Sequence, residues 1–114
     1  MSNVEKIIDG QLVTWDRKKA ALNLQKHGVS FEDAALVFAD DNLIVYCDEK
    51  HSQTETRWKA IGMVNDVLLV VYTERGEALR LITARAATPK ERSEYYGRKH
   101  YGIPNYLQGT KADT

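Results

Sequence analysis

The chain has 114 residues, of which 43% are hydrophobic and 28% are charged, and its formal net charge at pH 7 is zero. This composition is ordinary for one soluble globular domain, and no apolar run approaches the roughly 18 residues of a membrane helix. The start of the chain lacks the basic and apolar regions of an export signal, so we expect a cytoplasmic protein. A single cysteine excludes an internal disulfide.

The zero net charge conceals an uneven distribution of charge along the chain. Residues 1–56 carry 6 Lys and Arg against 10 Asp and Glu, whereas residues 57–114 carry 10 against 6. A basic second half favours a face that binds a polyanion, although a dimer with complementary halves would give the same count.

In chain order, the first confident elements are two helices joined by a glycine corner. Asp16 is a good N-cap for a helix over residues 17–27, and Gly28 stands where a terminating glycine belongs. Ser30 is the N-cap of a second helix. Its apolar residues recur at helical spacing and are Phe31, Ala34, Ala35 and Phe38.

Strands follow the helices. The predicted strands are Leu43–Asp48, Arg57–Gly62, Val67–Thr73 and Ala78–Ala87. Short turns join the last three, and Gly76 can supply a positive φ in the final hairpin. The predicted fold class is α+β, with two N-terminal helices packed on a four-stranded antiparallel meander. The sheet would have five strands if Gln11–Trp15 forms an edge.

The last predicted element is a helix that begins at Pro89 and runs to about Arg98. Thr88 is its N-cap, and Glu91 completes a capping box. Its surface is basic and aromatic without an aliphatic stripe, so we expect it to be marginal unless docked. It could serve RNA or a partner protein equally well.

The whole chain is predicted to be one domain. Residues 1–10 are mixed in character and predict a flexible arm, residues 12–99 form the core, and residues 100–114 predict a mobile tail.

Several kinds of chemistry are excluded by missing motifs. His27, His51 and His100 are far apart and have no metal-ligand spacing, so we expect no metal site. Phosphate-binding glycine loops and a nucleophile elbow are absent as well, so we expect no cofactor and no serine hydrolase chemistry. Cys47 lies in an apolar strand without an adjacent base, which predicts an inert thiol.

Two arginines, Arg80 and Arg85, interrupt the apolar return strand of the final hairpin. A half-buried guanidinium must be paired or must reach water, so each is either a snorkelling partner of a carboxylate or part of an anion site. Because 80 and 85 differ by an odd number, the two side chains share a face only with a bulge, or if Arg85 lies past the strand end.

Acid–base groups stand close to these arginines in the sequence. His51 and Glu55 lie in a polar loop that leads into Arg57, and Arg75 lies at the hairpin turn. Metal-independent RNA cleavage needs a base, an acid and guanidinium groups on the phosphate, which this set contains. Each residue also has an ordinary interpretation as a surface histidine, a local salt bridge or a solvated arginine.

Three segments carry a resemblance to a known family, and they are VTWDRKKAALNLQKHGVSFEDAALVFAD, DEKHSQTETRWKAIG and VVYTERGEALRLITARAATPKERSEYY. Together they resemble the BrnT toxins of bacterial type II toxin–antitoxin systems over about residues 13–96. The resemblance implies a relative of the RelE ribonuclease fold that cleaves RNA without a metal and stops translation. It also implies neutralisation by a BrnA-type ribbon-helix-helix antitoxin, with operator DNA bound only through the complex and no membrane partner.

The leading hypothesis is therefore a ribonuclease toxin. The predicted catalytic residues are His51, Glu55, Arg57, Arg80 and Arg85. The predicted secondary RNA contacts are Lys26, His27, Lys59, Arg75 and Arg92. The alternative is a non-catalytic module that uses the same basic sheet to hold RNA or the antitoxin, and a third interpretation is a plain structural subunit.

Overall fold

The computed structural model describes residues 3–97. The strands are β1 (Asn3–Ile8), β2 (Gln11–Asp16), β3 (Ile44–Cys47), β4 (Arg57–Val64), β5 (Asp66–Arg75) and β6 (Ala78–Ala86). The helices are α1 (Arg17–His27), α2 (Phe31–Ala35) and α3 (Pro89–Tyr96), and short 3₁₀ helices span Leu36–Ala39 and Glu49–His51. The predicted tail at 100–114 and the predicted helix end at Arg98 lie outside the described residues.

The six strands found in residues 3–97 belong to one mixed sheet with the order β1-β2-β6-β5-β4-β3. Strands β3 to β6 form the predicted antiparallel meander, but β2 pairs with β6 in parallel through Val13 opposite Leu79 and Thr14 opposite Arg80. The prediction of a purely antiparallel sheet of four or five strands was therefore wrong. The parallel pair arises because helices α1 and α2 carry the chain from β2 to the far edge of the sheet before the meander begins.

The predicted flexible arm is also corrected over residues 3–8, because these residues form the edge strand β1 antiparallel to β2. The turn between them is Asp9-Gly10, with φ values of 54° and 84°. Asp-Gly between two short runs is a strong hairpin signal, since both residues tolerate positive φ. Most of its side chains are exposed because the strand lies at an edge, and the charged pair Glu5-Lys6 between Val4 and Ile7 gives it the mixed composition of an arm.

The predicted caps of α1 and α2 are confirmed. The Asp16 carboxylate accepts a hydrogen bond from the backbone of Lys19, and Gly28 ends α1 at a φ of 72°. Ser30 caps α2 by accepting from the backbone N–H of Asp33. Both helices cover one face of the sheet, where the main core lies. The core residues deepest in this layer include Val13, Trp15, Phe31, Ala34, Val37, Val70, Tyr72 and Ala84.

On the opposite face, α3 covers only one end of the sheet. Tyr95 is 4% exposed and packs with the smaller cluster of Ile44, Ile61, Val67 and Leu69. Its hydroxyl donates to Asp40 at 2.6 Å. The helix that was expected to be marginal is thus docked by one aromatic residue and by the predicted capping box. Within residues 3–97, no helix is long and apolar enough to span a membrane.

Candidate nucleic-acid interface

A bulge at Ile82 brings Arg80 and Arg85 to the same face of the sheet. Arg80 pairs with Thr73 and Arg85 pairs with Leu69, so the spacing is five residues on β6 and four on β5. The register shifts between Val71 and Tyr72, which leaves Ile82 as the extra residue. One added residue reverses the alternation of the side chains that follow it. The sequence analysis required a bulge for Arg80 and Arg85 to share a face, and the strand contains one.

Arg57 and Arg80 lie on either side of Thr73 in one row across the sheet. Arg57 pairs with Thr73 from β4, Arg80 pairs with it from β6, and Thr14 follows Arg80 on β2. Since neighbouring strands lie about 4.8 Å apart, the two arginine Cα atoms are separated by about 10 Å. That separation lets two guanidinium groups reach one phosphate from opposite sides.

Among the residues that the structure describes, the two arginines of this row have no carboxylate partner within ion-pair distance. Arg80 donates to the Oδ1 atom of Asn3 at 2.9 Å and weakly to the Thr14 hydroxyl at 3.5 Å, and both are neutral acceptors. Among residues 3–97, neither Arg57 nor Arg80 forms an ion pair. Their positive charge is therefore available to an anion from solution.

Two more cations extend the same face along the strands. Lys59 pairs with both Tyr46 and Val71, and its Nζ atom lies 5.9 Å from the centre of the Tyr46 ring. Arg85 lies further along, where it meets α3. We call the four residues Arg57, Lys59, Arg80 and Arg85 the cationic face.

Arg85 is the member of the cationic face that is neutralised within the chain. Its two terminal nitrogens donate to the two carboxylate oxygens of Glu91 at 2.8 and 3.0 Å. This hydrogen bonding raises the pKa of Arg85. Burial pushes the pKa of Glu91 upward, but hydrogen bonds from Arg85 and from the backbone of Thr88 outweigh it, so the pKa of Glu91 is lowered. An anion that binds Arg85 must compete with this carboxylate.

Glu55 is held in a similar fork by Arg75. The Nε and one terminal nitrogen of Arg75 each donate to a Glu55 oxygen at 3.2 Å. The hydrogen bonding from Arg75 is the main cause that lowers the pKa of Glu55. Glu55 is therefore ionised at neutral pH, and the charge of Arg75 is balanced.

His51 is anchored by a residue that the sequence reasoning missed. Its Nδ1 atom lies 3.0 and 3.2 Å from the two carboxylate oxygens of Asp48. Asp48 in turn donates its backbone N–H to the carbonyl of Arg57 at 2.8 Å, which places the histidine loop beside the arginine row. The available signal was an acidic residue three positions before a histidine in a polar loop.

Three of the predicted RNA contacts lie away from the row of Arg57 and Arg80. Lys26 and His27 are exposed in the last turn of α1, which packs on the opposite face of the sheet. Arg92 lies on α3 and pairs with Asp66 at 2.6 Å. Asp66 is seven residues before Thr73 on β5, a separation of roughly 20 Å along an extended strand. These three contacts stay predictions. Lys26 and His27 would need a second RNA surface, whereas Arg92 lies one residue after Glu91, the partner of Arg85, at the α3 end of the cationic face.

The fold and the site together define a class of protein, namely a small α+β domain whose single sheet presents an open arginine-rich face beside a histidine–aspartate pair. The chain belongs to the BrnT family: the family model described as ribonuclease toxin, BrnT, of type II toxin-antitoxin system matches residues 15–91. The matched range contains every residue of the cationic face.

A solved structure is similar to this chain as well. It is the 1.1 Å crystal structure of the Brucella abortus ribonuclease toxin BrnT, with a TM-score of 0.53 and 29% sequence identity. The similarity covers 75% of this chain and 99% of the Brucella chain. No curated protein matches the chain. Within residues 3–97, no group of three or more His, Cys, Asp or Glu is arranged to hold a metal.

Proposed function

We propose that this chain is an endoribonuclease toxin that cleaves RNA by metal-independent transesterification and thereby inhibits translation. The observation that carries the proposal is the placement of Arg57 and Arg80 on either side of Thr73, where neither forms an ion pair with any residue of the described range 3–97. Family membership supplies the substrate class, and the open cationic face supplies the anion site.

The proposed reaction has one displacement at phosphorus. The ribose 2′-oxygen attacks the adjacent phosphorus as a base removes its proton, and the bond to the 5′-oxygen breaks as an acid protonates that oxygen. The products are a 2′,3′-cyclic phosphate and a 5′-hydroxyl. Arg57 and Arg80 stabilise the negative charge that develops on the non-bridging oxygens, which is worth several kcal/mol in sites of this kind.

The lowered pKa of Glu55 restricts the assignment of acid and base. An ionised carboxylate can accept a proton but has none to donate, so Glu55 takes the role of the base if both groups participate. His51 then donates the proton to the leaving 5′-oxygen. The Arg75 fork makes Glu55 a weaker base than an unpaired carboxylate, and it also fixes the carboxylate in position.

The proposed partner is a BrnA-type ribbon-helix-helix antitoxin that neutralises the toxin. Operator DNA is bound only through the complex of toxin and antitoxin in this proposal. The basis is membership of a toxin family of type II toxin–antitoxin systems.

The test of the proposed function is cleavage of a defined RNA in the presence of EDTA. We expect fragments with 2′,3′-cyclic ends from the unaltered protein, and a loss of rate by roughly 10²–10³-fold in Arg57→Ala and in Arg80→Ala. Arg17→Ala is the matched control, since Arg17 is exposed at the start of α1 on the other face. Unchanged rates in both arginine variants, or dependence on a divalent metal, would contradict the mechanism.

A substrate with sulfur in place of the 5′-oxygen separates the acid from the base. A thiolate leaves without protonation, so this substrate should restore the rate of His51→Gln but not that of Glu55→Gln. Restoration of the glutamate variant alone would reverse the two roles.

The alternative function is a non-catalytic module that holds RNA or the antitoxin. The closed ion pairs of Arg85 with Glu91 and of Arg75 with Glu55 favour it, because they resemble structural pairs more than a reactive centre. This function predicts RNA affinity that falls with salt, without any cleaved product.

A further inference from the structure

We infer that Asp48 is the positioning residue of His51: its buried carboxylate fixes the imidazole in the Nδ1–H tautomer and leaves the Nε2 atom for the substrate. The catalytic consequence of this inference rests on the proposed ribonuclease function. The tautomer itself does not.

The inference begins with the contrast in exposure between the two side chains. The Asp48 side chain is 6% exposed, whereas that of His51 is 57% exposed. A buried carboxylate needs hydrogen-bond donors, and the imidazole Nδ1–H is a donor placed between its two oxygens. The ring is therefore held on its inner side while its outer side faces solvent.

The backbone around the pair forms a closed loop that does not depend on the Asp48 carboxylate. Ser52 donates its hydroxyl to the carbonyl of Asp48 at 2.6 Å and accepts from the backbone N–H of Arg57 at 2.9 Å. Together with the bond from the Asp48 N–H to the Arg57 carbonyl, these contacts fix the loop on β4. A change in the Asp48 side chain alone thus alters the histidine with little effect on the loop.

Asp48 differs from the other acidic residues near the cationic face in what it binds. Glu55 and Glu91 each accept hydrogen bonds from an arginine, whereas Asp48 is hydrogen-bonded to the imidazole of His51. A carboxylate on Nδ1 selects one tautomer of the neutral ring. Replacing such a carboxylate with an amide allows the wrong tautomer.

The experiment uses the full chain with ¹⁵N-labelled histidine and reads the His51 tautomer by two-bond ¹H–¹⁵N correlation, at a pH where the ring is neutral. We expect the Nδ1–H form in the unaltered protein and mainly the Nε2–H form in Asp48→Asn and Asp48→Ala. Glu49→Gln is the matched control, because it removes a neighbouring exposed charge without removing the hydrogen bond, and it should keep the Nδ1–H form.

RNA cleavage is measured on the same samples. We expect kcat to fall by roughly 10²–10⁴-fold in Asp48→Asn, as in other histidine–carboxylate pairs, while KM stays within about twofold. A rise in KM of similar size, with kcat unchanged, would overturn the positioning role of Asp48 in catalysis.

The tautomer measurement keeps the two proposals separable. An Nε2–H histidine in the unaltered protein, or an unchanged tautomer in both Asp48 variants, overturns the inference whether or not RNA is cleaved. The expected tautomers in a protein that cleaves no RNA would support the positioning of His51 and overturn the ribonuclease mechanism.

Discussion

At the scale of single residues, the main distinction is between arginines that are neutralised within the chain and arginines that are not. Arg75 and Arg85 donate hydrogen bonds to carboxylates, whereas Arg80 donates to the amide oxygen of Asn3 and to the hydroxyl of Thr14. A carboxylate that is bound to a guanidinium through two hydrogen bonds competes with phosphate for the same donors. Both groups are oxyanions that accept two parallel hydrogen bonds from one arginine. In the proposed mechanism, phosphate therefore binds first to Arg57 and Arg80, and Arg85 has a secondary role.

The pairing of Glu91 with Arg85 predicts a pH-dependent contribution to stability. The pKa of Glu91 is lowered from its ordinary value of 4.5, so the stabilisation is complete above that value and is lost as the pH falls through the folded-state pKa. Glu91→Gln should lower the free energy of unfolding at pH 7 by about 1–2 kcal/mol, discounted for the partial exposure of Arg85. Glutamine retains the capping-box hydrogen bond through its amide oxygen, so the change removes the charge and the hydrogen bond from Arg85 to Oε2 but leaves the cap in place.

Urea denaturation at pH 7 and near pH 3 measures this effect. The difference between Glu91→Gln and the unaltered protein should shrink at the lower pH, and Glu94→Gln on the same helix is the control. A difference that stays constant with pH would contradict the assignment.

At the scale of elements, one side chain joins the first helix to the sheet next to the bulge. Asn23 on α1 is 7% exposed; it donates to the carbonyl of Ala84 at 2.8 Å and accepts from the Ala84 N–H at 3.1 Å. Its amide also donates to the carbonyl of Val29 after the glycine corner. The amide thus satisfies backbone groups of β6 only two residues after Ile82, where the ladder is irregular.

Asn23→Ala should therefore lower the free energy of unfolding by a large amount for a substitution that removes only a small side chain. The substitution leaves a buried N–H and a buried carbonyl of Ala84 without this partner, and each such loss costs roughly 1–3 kcal/mol, so we expect a total of about 2–6 kcal/mol. Urea denaturation checks the value. Gln25→Ala, at an exposed position of the same helix, should change stability by no more than about 0.5 kcal/mol. Equal effects of the two substitutions would show that the amide does not clamp β6.

At the scale of the whole molecule, the two faces of the sheet have different tasks. One face is covered by α1 and α2 and holds the larger core, while the other is covered at one end by α3 and presents cations over the rest. The central strand β5 is apolar on both sides except near its end, where Thr73 lies between the two arginines. This division lets a small domain keep a dry core and still offer a flat charged surface.

The flat charged surface predicts a shallow dependence of RNA binding on salt. A few phosphate contacts give a slope of log K against log salt of about −0.7 per contact for single strands, so roughly two to four contacts give about −1.5 to −3. Arg80→Ala removes one phosphate contact, so it should make the slope less negative by about 0.7. Fluorescence anisotropy with a 2′-O-methyl RNA measures binding alone, because this RNA lacks the attacking hydroxyl.

The control for the salt experiment lies on the opposite face. Lys18→Ala on α1 should leave the slope unchanged, and Lys26→Ala tests whether the predicted secondary contact near the end of α1 takes part. Equal slopes for Lys18→Ala and Arg80→Ala would indicate general attraction rather than a site.

The elements that depend on local chemistry could be predicted from the amino-acid sequence. Caps at Asp16, Ser30 and Thr88 and the positive φ at Gly76 are properties of a few adjacent residues, so α1 to α3 and the meander of β3 to β6 were predictable. The family could also be proposed from contiguous segments, and the match over residues 15–91 confirms it.

Which distant residues share a surface could not be predicted from the sequence, because it depends on long-range packing. The bulge at Ile82 depends on the register against β5, the parallel pairing of β2 with β6 depends on the packing of two helices, and the link from Asp48 to His51 depends on how a loop closes on β4. Periodicity gives the face of a side chain only within a regular element. Where a strand contains an extra residue or the chain crosses the sheet, long-range packing determines which side chains share a face, and the local sequence does not predict it.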